Sequence, residues 1–141
     1  MTTDSMRARI WTNRRVASET GNFRVLVVDD NENAADALAV YLQYENLDIQ
    51  TAYGGKQAVE IAAVWTPHLI IMDISMPDCD GFEAALMIRG DDRINHIAII
   101  AFTALDESEV RRHLTDHEFD AYCQKGQPPS RLVTLLRHLL A

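Results

Sequence analysis

Short, almost wholly apolar runs alternate along this chain with longer stretches in which apolar residues recur every three or four positions. Val25-Leu26-Val27-Val28, Leu69-Ile70-Ile71-Met72 and Ile97 to Phe102 are continuous apolar runs, the pattern of strands covered on both faces. Ala121 to Gln124 is a shorter run of the same kind, and Asp48 to Ala52 is a weaker one. Between these runs, Ala34, Leu38, Tyr41 and Leu42 fall at helical spacing, as do Ala58, Ile61, Ala62 and Trp65. Phe82, Ala85 and Leu86 set a third helical period, which Arg89 extends with its head expected to turn to solvent. Val110 and Leu114 mark a short polar helix between Asp106 and Thr115, and Leu132, Leu135, Leu136 and Leu139 give the last helix a strong inward stripe. Pro67 closes the second helix because a proline disfavours helical geometry in the residue before it, whereas Pro129 suits a first helical turn.

Alternation of strands and helices is the signature of an α/β fold with a parallel sheet. Five strand–helix pairs between Phe23 and Ala141 are too few for an eight-fold barrel of ~250 residues, so a doubly wound, five-stranded open sheet with five helices is predicted. Residues 1–22 show no sustained period and close on the turn-prone Thr20-Gly21-Asn22. They are expected to be a flexible N-terminal arm, in which Ile10, Trp11 and Val16 could mark a short docking helix, and 23–141 to be the folded domain.

Charge changes the picture by exclusion. The net charge of −8 argues against a nucleic-acid partner, because phosphate backbones are contacted through Lys and Arg. The arm carries Arg7, Arg9, Arg14 and Arg15 against Asp4 and Glu19, which leaves −10 on the remainder. Cys79 and Cys123 have neither C-x-x-C spacing nor further cysteines to form a framework, so reduced thiols and a cytoplasmic location are expected. No apolar stretch approaches the ~18 residues of a membrane span, and no membrane partner is expected.

The candidate chemistry lies where the apolar runs stop. Asp29-Asp30, Asp73, Thr103 and Lys125 each follow a strand-like run, and in open α/β sheets ligands bind beyond the carboxyl ends of the strands. Three carboxylates gathered there would repel one another unless a cation neutralised them. An all-oxygen set suits Mg²⁺ better than Ca²⁺, since one or two carboxylates with a carbonyl, water and a phosphate oxygen complete its octahedron. Lys125 adds a compact positive charge and Thr103 a hydroxyl, which together meet the needs of phosphoryl transfer to a carboxylate.

On these residues the chain resembles the receiver domain of two-component response regulators. The resemblance rests on the acidic pair Asp29-Asp30, on D-x-x-M-P-x-x-D-G from Asp73 to Gly81, on Thr103-Ala104 and on Lys125, and it covers residues 23–141. It implies a flavodoxin-like sheet of strand order 2-1-3-4-5. It also implies that Asp73 accepts a phosphoryl group from a sensor histidine kinase or a histidine phosphotransfer protein. Asp29, Asp30, Asp73 and the backbone carbonyl of Ser75 would hold Mg²⁺, with Asp29 acting through water. Thr103 and Lys125 would contact the phosphoryl group, while Tyr122 matches an aromatic that turns inward as Thr103 shifts toward the phosphate. Ser75 and Leu105 would line the approach of water. Where the family usually carries a cis-proline after the lysine, this chain reads Lys125-Gly126-Gln127-Pro128-Pro129.

Plainer readings exist for each residue alone. A strand-ending aspartate can cap a turn, a lone lysine is usually solvated, a strand-final threonine is common, and Tyr122 can be simple packing. His113 and His117 stand four apart but lack a third ligand, and Gly54-Gly55 lacks the phosphate-loop pattern, so a solvated helix face and a turn are expected there. The expected function is therefore a signalling switch, not an enzyme in the turnover sense, acting on an unknown downstream protein through the face formed by the 106–115 helix, the 121–124 strand and the last helix. A chain ending at Ala141 suits a stand-alone receiver or a piece of a longer regulator. A phosphorylation-independent adaptor and a small Mg²⁺-dependent phosphohydrolase are the alternatives, the latter disfavoured by the lack of a D-x-D nucleophile motif and of a cap domain.

Overall fold

A computed structural model describes residues 7–141. Its elements run β1 (Ala8–Ile10), β2 (Phe23–Val28), α1 (Glu32–Gln43), β3 (Leu47–Ala52), α2 (Gly55–Trp65), β4 (Leu69–Met72), α3 (Gly81–Arg89), β5 (Ala98–Thr103), α4 (Glu107–Arg112), β6 (Ala121–Gln124) and α5 (Pro129–Leu139). The sheet has the order β1-β6-β5-β4-β2-β3. β2 to β6 are parallel to one another and reproduce the expected 2-1-3-4-5 core order, with five helices.

The sheet divides the core in two, and the strands' two-residue period decides which side chain goes where. Leu26, Val28, Ile70 and Met72 face Ala58 and Ala62 of α2, Ala84, Ala85 and Ile88 of α3 and Val110 of α4. Val25, Val27, Leu69 and Ile71 face Ala35 and Leu42 of α1 and Leu132, Leu135, Leu136 and Leu139 of α5. With both faces covered, each of these strand residues is almost wholly removed from water. Burial of one such side chain is worth roughly 1.5–3 kcal/mol, which is why the continuous apolar runs become central strands.

At the N-terminus the sequence expectations change. The sheet has a sixth strand, β1, which pairs antiparallel with β6 and lies inside the segment expected to be a flexible arm. Ile10 and Trp11 thus belong to a strand and its continuation, not to a docking helix. Val16 is buried as well, bridged to Leu140, with its amide bonded to the Leu139 carbonyl at 2.8 Å. Residues 1–6 of the arm lie outside the described residues.

Arg89 also departs from expectation, because its head turns inward. It donates to Asp120 at 2.8 Å and to the carbonyls of Glu118, Asn95 and Ile97. Asp120 is fully buried and also accepts from the Ile99 amide, from Thr12 and from Arg14. This carboxylate ties the start of β5, the end of α3 and the N-terminal segment together.

Candidate functional site

The loops after β2, β4, β5 and β6 meet at one end of the sheet, and each is fixed by local chemistry. Asn31 caps α1 by accepting from the Ala34 amide at 3.1 Å, and its own amide donates to Asp29 at 2.9 Å, so the acidic pair sits in the turn into α1. The loop after β4 ends at Asp80, which forms a capping box with Glu83 at the start of α3. Gly81 follows because the chain folds back on itself there. Its amide bonds the Ile74 carbonyl at 2.9 Å, and a Cβ would run into the Asp73 carbonyl oxygen and the Ile74 Cα. The Asp-Gly of the 73–81 motif is thus a helix cap and a close approach that hold the loop carrying Asp73.

Asp29, Asp30 and Asp73 converge, each offering a carboxylate oxygen such that these atoms lie within 4.8 Å of one another. Asp29 and Asp73 are buried and Asp30 is exposed. Lys125 reaches in from the end of β6, with its Nζ 2.7 Å from Asp29 and 3.4 Å from Asp73. Burial is the largest influence on Asp73 and favours its neutral form. Lys125 opposes this, the neighbouring Asp29 reinforces it, and the pKa is pushed up to about 6. Burial works against the charge on Lys125 in turn, but its hydrogen bond to Asp29 and the charges of Asp73 and Asp29 outweigh it and hold its pKa above the ordinary value. One lysine cannot neutralise three carboxylates. The cluster remains an oxygen-lined site with unbalanced negative charge, the condition that favours a bound hard cation.

Thr103 is buried at the end of β5, its carbonyl accepting from the Lys125 amide at 2.8 Å and its hydroxyl from the Leu105 amide at 3.3 Å. Tyr122 is fully buried, with its hydroxyl donating to the Leu105 carbonyl at 2.6 Å. Burial first, then the acids around α4, push the phenol up to about 12, so the hydroxyl stays protonated and able to donate. Ser75 is exposed in the loop after Asp73. Gly126 turns the chain after Lys125 at φ +95°, and no peptide bond among the described residues is cis. The turn that the family usually makes with cis-proline is made here by a left-handed glycine.

His113 packs against the Phe82 ring and His117 is exposed beside Asp116, so these histidines form no metal cluster; among the described residues that feature is confined to the aspartates. Sequence reading missed Glu107, Arg111 and Asp120, which bind the N-terminal segment. Their partners lie about a hundred residues away in the chain, and only the sheet edge brings them together.

The model of the response regulator receiver domain matches residues 25–137. The chain belongs to that family. The receiver is 34% identical to TrrA of Thermotoga maritima, whose crystal structure is a complex with Mg²⁺-BeF; the match covers 84% of this chain and 99% of that one, with a TM-score of 0.75. It is 28% identical to the "DNA-binding dual master transcriptional regulator RpaA" of Synechocystis over 83% of its own length and 48% of that protein. It is 26% identical to the polar-differentiation response regulator DivK of Brucella anthropi over 82% of its length and 94% of that protein. The receiver therefore spans about half the length of RpaA but nearly all of DivK. Receivers interact with histidine kinases and are not generally classed as enzymes. No described helix is long and apolar enough to cross a membrane.

Proposed function

We propose that this receiver is a cytoplasmic, phosphorylation-controlled signalling switch in which Asp73 takes a phosphoryl group from the phosphohistidine of a sensor histidine kinase or histidine phosphotransfer protein. The observation that carries the reading is the placement of buried Asp73 beside Asp29, Asp30 and Lys125. A carboxylate oxygen of Asp73 forms the new bond to phosphorus as the nitrogen–phosphorus bond of the donor breaks, and the imidazole keeps the electron pair. The oxygen-only donors and the uncompensated charge of the three aspartates fit Mg²⁺, which Asp30, Asp73 and the Ser75 carbonyl would hold, with Asp29 acting through water. When bound, Mg²⁺ neutralises charge on the transferring oxygens. The chain's likeness, at 34% identity, to a receiver whose structure is a complex with Mg²⁺-BeF supports that assignment.

Lys125 exchanges its contact with Asp73 for the phosphoryl oxygens, and Thr103 supplies its hydroxyl to another. The added charge of about −1.5 to −2 draws Thr103 and the Thr103–Leu105 segment inward, which favours the buried position of Tyr122. The face of α4, β6 and α5 then carries the output to a downstream protein.

The test is a thermal melt with Mg²⁺ and beryllofluoride, each alone and together. The two together are expected to raise Tm in wild type and to leave Asp73→Asn unchanged. Equal shifts in both proteins would sink the assignment of Asp73.

A further inference from the structure

The α4–β6 part of the proposed output face is not bare, for the chain's own N-terminal segment lies on it. β1 pairs with the outer edge of β6 in the register Ala8 to Cys123, Arg9 to Tyr122 and Ile10 to Ala121. The pairing continues at both ends, since the Gln124 amide bonds the Arg7 carbonyl at 2.6 Å and the Trp11 amide bonds the Asp120 carbonyl at 2.8 Å. Beyond the strand, the Trp11 indole stacks on the Tyr122 ring, with centroids 5.6 Å apart and planes 6° from parallel. Its Nε1–H donates to Glu107 of α4 at 2.8 Å, the Arg111 guanidinium lies 4.4 Å from the indole centroid, and Arg9 approaches Glu107 at 3.5 Å. Thr12 and Arg14 then anchor the segment on buried Asp120.

We propose that residues 7–12 are a built-in ligand of this face, docked so that they hold Tyr122 inward and strengthen phosphoryl binding at Asp73. The inference rests on the reading of Asp73 as phosphoacceptor. The family aromatic that Tyr122 resembles takes two positions; here Tyr122 is inward, its hydroxyl holds the Leu105 carbonyl, and the Leu105 amide in turn bonds the Thr103 hydroxyl. Trp11 stacks on the ring in this inward position, so its contact energy favours that position. A phosphoryl group that pulls Thr103 favours the same position from the other side. Two ligands that favour one state favour each other by the same factor. The segment also completes the β6 edge, so a downstream partner that adds a strand there, or packs on the outer face of Tyr122, must displace it.

Amide hydrogen exchange on the full chain tests this, with Mg²⁺-beryllofluoride as the phosphoryl probe and its affinity measured by calorimetry in parallel. Saturation is expected to raise protection of the Trp11 and Gln124 amides about fivefold relative to the β3 amides at the opposite sheet edge, the lower end of ordinary couplings. Trp11→Ala is expected to bind the probe about fivefold more weakly, while Trp11→Phe, which keeps a ring to stack, recovers most of the loss. Unchanged protection of those two amides at saturation, or equal probe affinity in a folded Trp11→Ala, overturns the proposal and leaves the phosphoacceptor reading standing. Should Trp11→Ala not fold, the wild-type exchange decides alone. Failure of wild type to bind the probe at all overturns both.

Discussion

Replacing Asp73 with asparagine should stabilise the metal-free protein. Asp73 has its pKa raised from 3.8 to about 6, chiefly by burial, with Asp29 adding to the effect and Lys125 opposing it. For an acid with a raised folded-state pKa, the folded protein keeps a proton that the unfolded chain has released. Its contribution to stability is therefore fully present below pH 3.8 and is lost as pH rises through about 6. At 1.36 kcal/mol per pKa unit, the shift corresponds to a ceiling of about 3 kcal/mol against folding at neutral pH. Asparagine removes the charge at nearly constant shape. Lys125 loses one partner but keeps Asp29 at 2.7 Å, so a net gain of roughly 1–3 kcal/mol is expected. Urea unfolding in the presence of a chelator, at pH 7.5 and again near pH 4, measures the difference. With a slope of about 1–3 kcal/mol per molar urea, the midpoint should rise by about 1 M at the higher pH and the gap should close at the lower. An asparagine variant no more stable than wild type at pH 7.5, or a gap that persists near pH 4, would refute the reasoning.

Gly126→Ala should cost about 1–2 kcal/mol, because φ +95° is strained for any residue with a Cβ even though open space surrounds the position. An unchanged urea midpoint would show that the loop holding Lys125 relaxes freely. Asp120→Ala should cost about 3–5 kcal/mol, since it strands the largely buried Arg89 guanidinium and the Ile99 amide without their partner. A loss below about 1 kcal/mol would show that water or the neighbouring carbonyls replace the carboxylate.

The parallel core was legible because strands covered on both faces read as uninterrupted apolar runs and their helices as single stripes. Val25–Val28 and Leu132–Leu139 needed no partner information to be placed. The grouping of Asp29, Asp73, Thr103 and Lys125 followed from the same reading, because parallel strands put their carboxyl ends on one edge. β1 was not legible for the opposite reason. Ala8-Arg9-Ile10 is too short for any period, and only the edge of β6 makes it a strand. Arg89 was misread because its helical position allowed a solvent-facing head, whereas its true partner, Asp120, stands 31 residues on, at the start of another strand. Pairings of that kind depend on the finished sheet, and the periodicity of either segment does not contain them.

The central claim, that Asp73 is a phosphoacceptor, is tested most directly by intact mass. The full chain is incubated with Mg²⁺ and a small acyl phosphate, alongside Asp73→Asn. A single adduct of about 80 Da, one phosphoryl group, is predicted in wild type and not in the variant, and it should vanish when Mg²⁺ is chelated beforehand. An adduct of equal yield in Asp73→Asn, or no adduct in wild type with Mg²⁺ present, would contradict the account.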